Sequence, residues 1–168
     1  WLISGVIPSM IYYGLQILNP TIFLPATLII CSVISIATGS SWTTSATVGI
    51  ALIGIGGALG FNLGMVAGAV ISGAYFGDKL SPMSDTTNLA PAMAGTDLFT
   101  HIRYMTLTTV PTYIITLIVF IILGLTVETS GIANTDVLLA DIQKSFNISP
   151  WLFLVPVIVI GLIVKKTE

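Results

Sequence analysis

Long apolar runs separated by short polar segments dominate this chain, and the lengths of the runs predict membrane-spanning helices. The runs cover residues 2–18, 21–37, 46–61, 63–76, 104–125 and 151–164. Because an α-helix rises about 1.5 Å per residue, the run at 21–37 reaches about 25 Å, close to the thickness of the hydrocarbon core of a bilayer. The runs at 46–61 and 63–76 are shorter, which is typical of half-helices. We therefore predict an all-α membrane protein, a polytopic helical bundle with short broken helices or a re-entrant hairpin, in which residues 1–168 form a single transmembrane domain fragment.

Small residues recur at every fourth position through the two short runs. They are Gly56, Gly60, Gly64, Gly68 and Ser72, and Gly73 and Gly77 add a further pair at the same spacing. Such a stripe lets membrane helices approach closely, because no side chain keeps the backbones apart. We expect the short helices to pack tightly against their neighbours.

The composition places these helices in lipid and excludes other classes of protein. Hydrophobic residues make up 55% of the chain and charged residues 7%, and the net charge of −2 leaves no basic stripe for a nucleic-acid partner. The single cysteine, Cys31, lies within an apolar run and is expected to be a packing residue. No His/Cys cluster has the spacing of a metal site, so we expect no cofactor and no metal beyond a transported ion.

The first polar cluster, residues 38–45, interrupts the apolar pattern with six hydroxyl side chains. In hydrocarbon, an irregular polar segment of this kind is tolerated only where it lines a cavity. We expect it to line an ion pathway through Ser40, Ser41, Trp42, Thr43 and Thr44.

The second polar cluster, residues 75–90, adds two carboxylates and a lysine. Asp85 is the leading candidate for a group that holds either H⁺ or Na⁺, because ionisable groups at membrane depth are costly without a partner. Neutral oxygen donors surround it in the sequence, and the predicted ion-binding set is Asp85, Asp78, Ser84, Thr86, Thr87 and Asn88. We expect Asp85 to lie in a dehydrated segment and Asp78 to be more exposed beside Lys79.

Simpler interpretations stay open for these carboxylates. Asp85 could cap a helix that begins near Thr86, and Asp78 with Lys79 could form an interfacial pair on a solvated loop. Asp97 lies close in sequence to His101 and Arg103, where a surface salt bridge or a contact with lipid headgroups is favoured over an ion site.

The basic residues predict an orientation. Lys165 and Lys166 mark the cytoplasmic end of the last run, so the acidic loop at 126–149 should lie outside the cell and Arg103 inside. The chain opens at Trp1 without a methionine and closes just after an apolar run, which we interpret as a piece of a longer transporter.

Two long motifs in this order resemble the NhaC-type Na⁺/H⁺ antiporters of bacterial membranes. They span residues 37–49 and 73–91, and the likeness continues through residues 97–103. The resemblance implies a multi-pass protein of the bacterial plasma (inner) membrane that exchanges Na⁺ for H⁺; the alternative within the family is exchange of malate for lactate coupled to the same ions. It also implies inverted repeats, of which this chain would carry one. The implied partners are Na⁺, H⁺, small carboxylates in the alternative function, the lipid bilayer and the remaining half of the transporter; an oligomer is compatible with all of this.

Two other function classes are less favoured. A passive channel fits poorly because unwound carboxylate sites suit alternating access. An intramembrane hydrolase would need Ser40 or Ser41 to act with His101, but the chain lacks a GxSxG-type nucleophile turn. The chain is therefore expected not to be an enzyme.

Overall fold

The computed structural model describes residues 9, 12–14, 19–127, 144, 149, 151, 154 and 158. The predicted runs at 2–18 and 151–164, the loop at 126–149 and the two terminal lysines lie wholly or almost wholly outside these residues. Their orientation relative to the membrane stays a prediction.

The described chain is helical from end to end, as the apolar pattern predicted. Its elements are α1 (Pro20–Thr38), α2 (Ser41–Thr44), a π-helical segment (Ser45–Gly49), α3 (Ile50–Ala58), α4 (Leu63–Leu80), α5 (Asp85–Ala94) and α6 (Leu98–Thr126). Among the described residues, α1 and α6 are long and apolar enough to cross a membrane. This arrangement fits a helical membrane protein.

Local signals in the sequence set where the long helices begin. The side chain of Asn19 accepts a hydrogen bond from the backbone N–H of Thr21 ahead of α1. Asn62 does the same for Gly64 ahead of α4. Asp97 accepts from the N–H of Thr100 at 3.0 Å and starts α6 six residues before its apolar run. Each cap satisfies an N–H group that the helix itself leaves unpaired.

The caps bear on two of the sequence predictions. Asp97 caps a helix and forms no ion pair with His101 or Arg103, so of the two interpretations favoured for it only the contact with lipid headgroups stays a prediction. The first polar cluster is not an extended polar break, because α1 ends at Gly39 with a φ of 68° and α2 begins at Ser41. Only two residues separate the helices, and the side chain of Ser40 caps the second one by accepting from the N–H of Thr43.

The two short apolar runs form an antiparallel hairpin around Gly60, which has a φ of 81°. Gly56 lies against Val66 on the other arm, and Gly49 lies against Val70 further from the turn. Helix α4 continues four residues beyond the predicted run and carries Asp78 and Lys79 in its last turn. These two residues are therefore helical and do not lie on a solvated loop.

The core lies where α4 packs against α1. A methyl group on Gly73 would meet the carbonyl oxygen of Leu28, and one on Gly77 would meet the carbonyl oxygen of Ser32. The backbones therefore touch at these two glycines, as the small-residue stripe predicted. The buried apolar side chains around this contact include Phe23, Leu24, Leu28, Cys31, Val66 and Val70.

Helix α6 is tied to this core by an aromatic residue. The ring of Tyr113 stacks on Phe76 with ring centroids 3.9 Å apart. Its hydroxyl lies 2.9 Å from the hydroxyl of Ser32, which itself donates to the carbonyl of Leu28. The Ser32 hydroxyl is also the donor toward Tyr113, so its one proton is shared between the Tyr113 hydroxyl and the Leu28 carbonyl.

Candidate functional site

The two polar clusters meet at the open end of the hairpin. The hydroxyl of Ser41 donates a 2.7 Å hydrogen bond to Oδ2 of Asp78. Ser41 is the first residue of α2 and Asp78 lies in the last turn of α4, so antiparallel pairing of the two arms brings them together. Both clusters are visible in the sequence, but the contact between Ser41 and Asp78 is not.

Asp78 is the carboxylate with an unsatisfied atom. Its Oδ1 is buried and has no hydrogen-bond partner among the described residues, while Oδ2 is bonded to Ser41. A buried carboxylate oxygen without a donor is unfavourable because it has lost its water and gained nothing in return. A proton or a bound cation at Oδ1 would remove that cost.

Asp85 lies in a different environment from the predicted one. It is the first residue of α5, its side chain is exposed within the described chain, and its Oδ1 accepts from the backbone N–H of Thr86 at 2.8 Å. A carboxylate at this position is stabilised by the helix dipole and by the free N–H groups of the first turn. The predicted order of exposure was therefore wrong, since Asp78 is the more buried of the two.

The neutral oxygen donors predicted around Asp85 do not converge on one point. The hydroxyl of Thr87 is directed at the carbonyl oxygens of Asp78 and Lys79, and the amide of Asn88 donates to the carbonyls of Pro82 and Ser84. These two side chains hold the turn between α4 and α5 in place. Ser84 is fully buried, with its hydroxyl 3.0 Å from that of Thr86.

The hydroxyls of the first polar cluster mostly form hydrogen bonds within the cluster itself. Both the N–H and the hydroxyl of Thr43 donate to the side-chain oxygen of Ser40, and the buried hydroxyl of Thr44 donates to the carbonyl of Ser40. Trp42 differs from them, because its side chain is 88% exposed within the described chain. The cluster therefore contributes Ser41 and Trp42 to the site, and Ser40 through its cap.

Two cavities adjoin Asp78. The first, called here the acidic cavity, has a volume of about 270 Å³ and is lined by Gly39, Ser40, Trp42, Asp78, Met83, Asp85 and Thr86. The second, called the basic cavity, has a volume of about 400 Å³ and is lined by Ser41, Trp42, Tyr75, Asp78, Lys79, Thr86, Thr87, Ala90, His101 and Met105. Asp78, Trp42 and Thr86 line both cavities and thus form the wall between them.

Lys79 does not pair with Asp78. Consecutive side chains on a helix point in different directions, and within the described part of the chain Lys79 forms no salt bridge. Its ammonium group lies 5.8 Å from the centre of the Tyr75 ring. The interfacial pair that the sequence suggested is therefore absent.

Several residues that line these cavities were not predicted to do so from the sequence. Tyr75 and Lys79 are four positions apart on α4, and His101 and Met105 are four positions apart on α6, so each pair shares a helix face. That spacing was visible in the sequence, but nothing local indicated that the two faces meet. Within the described ranges, no group of three or more His, Cys, Asp or Glu residues could hold a structural metal ion.

Comparison with known proteins identifies relatives along the chain. The model of the Na⁺/H⁺ antiporter family matches residues 73–167. Over 168 residues the chain is 47% identical to a protein of Bacillus subtilis named malate-2H⁺/Na⁺-lactate antiporter, and this match covers 99% of the chain and 36% of the relative. It is 45% identical to the Na⁺/H⁺ antiporter NhaC of Alkalihalophilus pseudofirmus, again over 99% of the chain and 36% of the relative.

A further match is to the Na⁺/H⁺ antiporter NhaC of Bacillus subtilis, at 42% identity over 100% of the chain and 38% of the relative. The chain therefore spans little more than a third of the length of these curated relatives. No solved structure gives a significant match.

Proposed function

This chain belongs to the Na⁺/H⁺ antiporter family, and from that membership we propose that it forms part of the ion pathway of a secondary transporter that exchanges Na⁺ for H⁺. The observation that carries the proposal is Oδ1 of Asp78, which is buried at the wall of the acidic cavity and has no hydrogen-bond partner among the described residues. The transporter works with its cargo ions alone and needs no bound cofactor. It lies in the bacterial plasma membrane as a multi-pass protein, with the rest of the transporter completing the pathway.

The exchange follows from competition at one carboxylate. When Asp78 is protonated, Oδ1 carries the proton and Oδ2 keeps its bond from Ser41. When the proton leaves, the negative charge attracts Na⁺ from the acidic cavity, which hydroxyl-bearing Ser40 and Thr86 also line. Since the two ligands exclude each other, each must leave before the other binds.

The roles of the two aspartates are therefore reversed relative to the sequence prediction. Asp78 is the exchanging group, because it is partly buried and one of its oxygens has no partner in the part of the chain that the structure describes. Asp85 also lines the acidic cavity and adds negative potential there, and its exposure keeps it largely solvated.

A second candidate function is exchange of small carboxylates coupled to the same ions. It is favoured by Lys79, a cation that lines the basic cavity without a carboxylate partner among the described residues. The Bacillus subtilis relative named for malate and lactate supports it as well.

The test is transport by the complete transporter in sealed vesicles that hold a pH-sensitive dye. With the membrane potential clamped and the lumen acidic, external Na⁺ should raise the lumenal pH without any organic acid present. If a Na⁺ pulse moves no protons until malate or lactate is added, carboxylate exchange replaces Na⁺/H⁺ exchange. If protons cross the membrane when no Na⁺ is present on either side, the protein is a channel and the proposal fails.

A further inference from the structure

We propose that protons and Na⁺ reach Asp78 by different routes, with His101 relaying protons through the basic cavity while Na⁺ enters through the acidic cavity. The inference rests on the proposed function, because it concerns the same aspartate. It goes further by assigning a proton-relay residue on α6 and by dividing the two ions between the two cavities.

The two cavities differ in the charges that line them. Besides Asp78, the acidic cavity contains the carboxylate of Asp85, and none of the described residues that line it is basic. The basic cavity contains Lys79 and His101 instead. A cation is attracted to the first cavity, whereas the ammonium group of Lys79 opposes its entry into the second. The charges therefore favour the arrival of Na⁺ from the acidic side of Asp78.

His101 lies where it can exchange protons with bulk water. Helix α6 begins at Leu98, but its apolar run begins only at residue 104, so His101 precedes the part of the helix that matches hydrocarbon. Its side chain is half-buried and lines the basic cavity together with Asp78. His101 therefore links the water at the end of the apolar run to the cavity that Asp78 shares.

The space between His101 and Asp78 suits water molecules. The cavity has a volume of about 400 Å³, many times the roughly 30 Å³ that one water molecule occupies in the liquid. The hydroxyls of Ser41 and Thr86 belong to residues of the same lining and offer polar partners for such water. A proton can then pass from an acid to a base through an intervening water molecule.

The relay step conserves atoms and charge. Protonated His101 donates a ring N–H proton to a water molecule, and that water passes one of its own protons to the ionised carboxylate of Asp78. His101 becomes neutral, Asp78 becomes the neutral acid, and the water is restored. His101 then takes a new proton from bulk water, and release of a proton from Asp78 uses the same steps in reverse.

The other titratable groups around this cavity do not replace His101. Tyr75 and Lys79 line it from α4, and α2 and α5 contribute no titratable side chain to it. On α6, Asp97 and Arg103 lie within four positions of His101 but line neither cavity. Among the residue types in the lining, histidine is the one that gains and loses a proton near neutral pH.

The experiment measures the release of radioactive Na⁺ from vesicles that contain the complete transporter, with the membrane potential clamped. Into a medium without Na⁺, labelled Na⁺ leaves in exchange for protons. Into a medium with unlabelled Na⁺, labelled Na⁺ exchanges for Na⁺, and Asp78 needs no proton. The two media therefore separate the proton step from the Na⁺ steps in the same vesicles.

Variants of His101 test the relay. At alkaline pH, His101→Gln should slow release into the Na⁺-free medium about tenfold or more, because a positioned acid–base group speeds proton transfer about 100- to 10,000-fold. Release into the Na⁺ medium should keep the wild-type rate. The defect should shrink as the pH falls, since hydronium ions then protonate Asp78 directly. Imidazole in the medium should speed release by His101→Ala, and Arg103→Gln should match the wild-type protein in both media.

Two cysteines test the separation of the routes, each in a Cys31→Ser background. Ala90 lines only the basic cavity, so a bulky thiol reagent on Ala90→Cys should slow release into the Na⁺-free medium and spare release into the Na⁺ medium. Met83 lines only the acidic cavity, so the same reagent on Met83→Cys should slow release into both media.

Each outcome decides a different point. Wild-type rates for His101→Gln in both media overturn the relay alone. Equal slowing of His101→Gln in both media, or a defect of His101→Ala that imidazole does not relieve, shows a structural role and also overturns it. Identical effects of the reagent on Ala90→Cys and Met83→Cys overturn the separate routes. Wild-type release into the Na⁺-free medium that does not change with external pH counts against the proposed function instead.

Discussion

The hydroxyl of Ser41 donates to one carboxylate oxygen of Asp78 at 2.7 Å, although the two residues lie 37 positions apart in the chain. This bond joins the first turn of α2 to the last turn of α4. It holds one oxygen of Asp78 in place, while the other is buried and finds no donor within the described ranges. The bond to Ser41 therefore fixes the carboxylate of Asp78 in the wall of the acidic cavity.

The first prediction concerns the two aspartates. Asp78→Asn in the complete transporter should reduce Na⁺-driven proton flux in vesicles to the background of empty vesicles, because an amide cannot carry the exchanging proton. Asp85→Asn, the matched control, should retain flux within about fivefold, since an exposed charge contributes up to about 1 kcal/mol. Both variants should be produced at the wild-type level and should elute from a size-exclusion column at the wild-type volume. If Asp85→Asn is inactive while Asp78→Asn transports normally, the assignment is wrong.

The second prediction concerns the hydrogen bond to Asp78. Ser41→Ala should weaken the apparent Na⁺ affinity about tenfold, because a hydrogen bond to a charged group is worth about 1.5–3 kcal/mol. The measurement is proton flux as a function of Na⁺ concentration at constant pH. Thr47→Ala is the control: its hydroxyl donates to the carbonyl of Thr43 within the same helix, and it lines neither cavity. Equal Na⁺ affinities in the two variants would contradict a role for Ser41.

The third prediction concerns the close approach of α1 and α4. Gly77→Ala should destabilise the protein by about 1–3 kcal/mol, as overpacking does, because the new methyl group would meet the backbone of Ser32 and Cβ of Ser35. The measurement is thermal unfolding in detergent. Gly68→Ala places the same group on the same helix, where the ring of Phe120 lies an ordinary 3.7 Å away, and should be tolerated. A wild-type melting temperature for Gly77→Ala would argue against the packing described here.

The fourth prediction concerns access to the cavities, measured in a Cys31→Ser background. Thr86→Cys should react with a small water-soluble thiol reagent and be protected by Na⁺, because Thr86 is exposed and lines both cavities. Thr44→Cys should not react, since that side chain is fully buried. Reaction of Thr44→Cys at the same rate, or no reaction of Thr86→Cys, would show that the cavities are not arranged as described.

The sequence by itself determined the membrane character and the helical class, and short-range chemistry sets several helix boundaries. Asn19, Asn62 and Asp97 begin helices by accepting hydrogen bonds from residues two or three positions away. Gly39 ends a helix because its positive φ suits a residue without a side chain. The motifs that identify the family are likewise continuous stretches of sequence.

Only the tertiary structure decided which carboxylate is buried and what it faces. In the sequence, Asp85 has the richer set of oxygen neighbours, yet Thr87 and Asn88 direct their hydrogen bonds to the backbone of the turn. Asp78 is set against Ser41 by the antiparallel hairpin, whose α4 arm packs on α1 through backbone contact at Gly77. Local patterns fix where a helix starts and stops, but the partner of a side chain depends on how helices distant in sequence are packed.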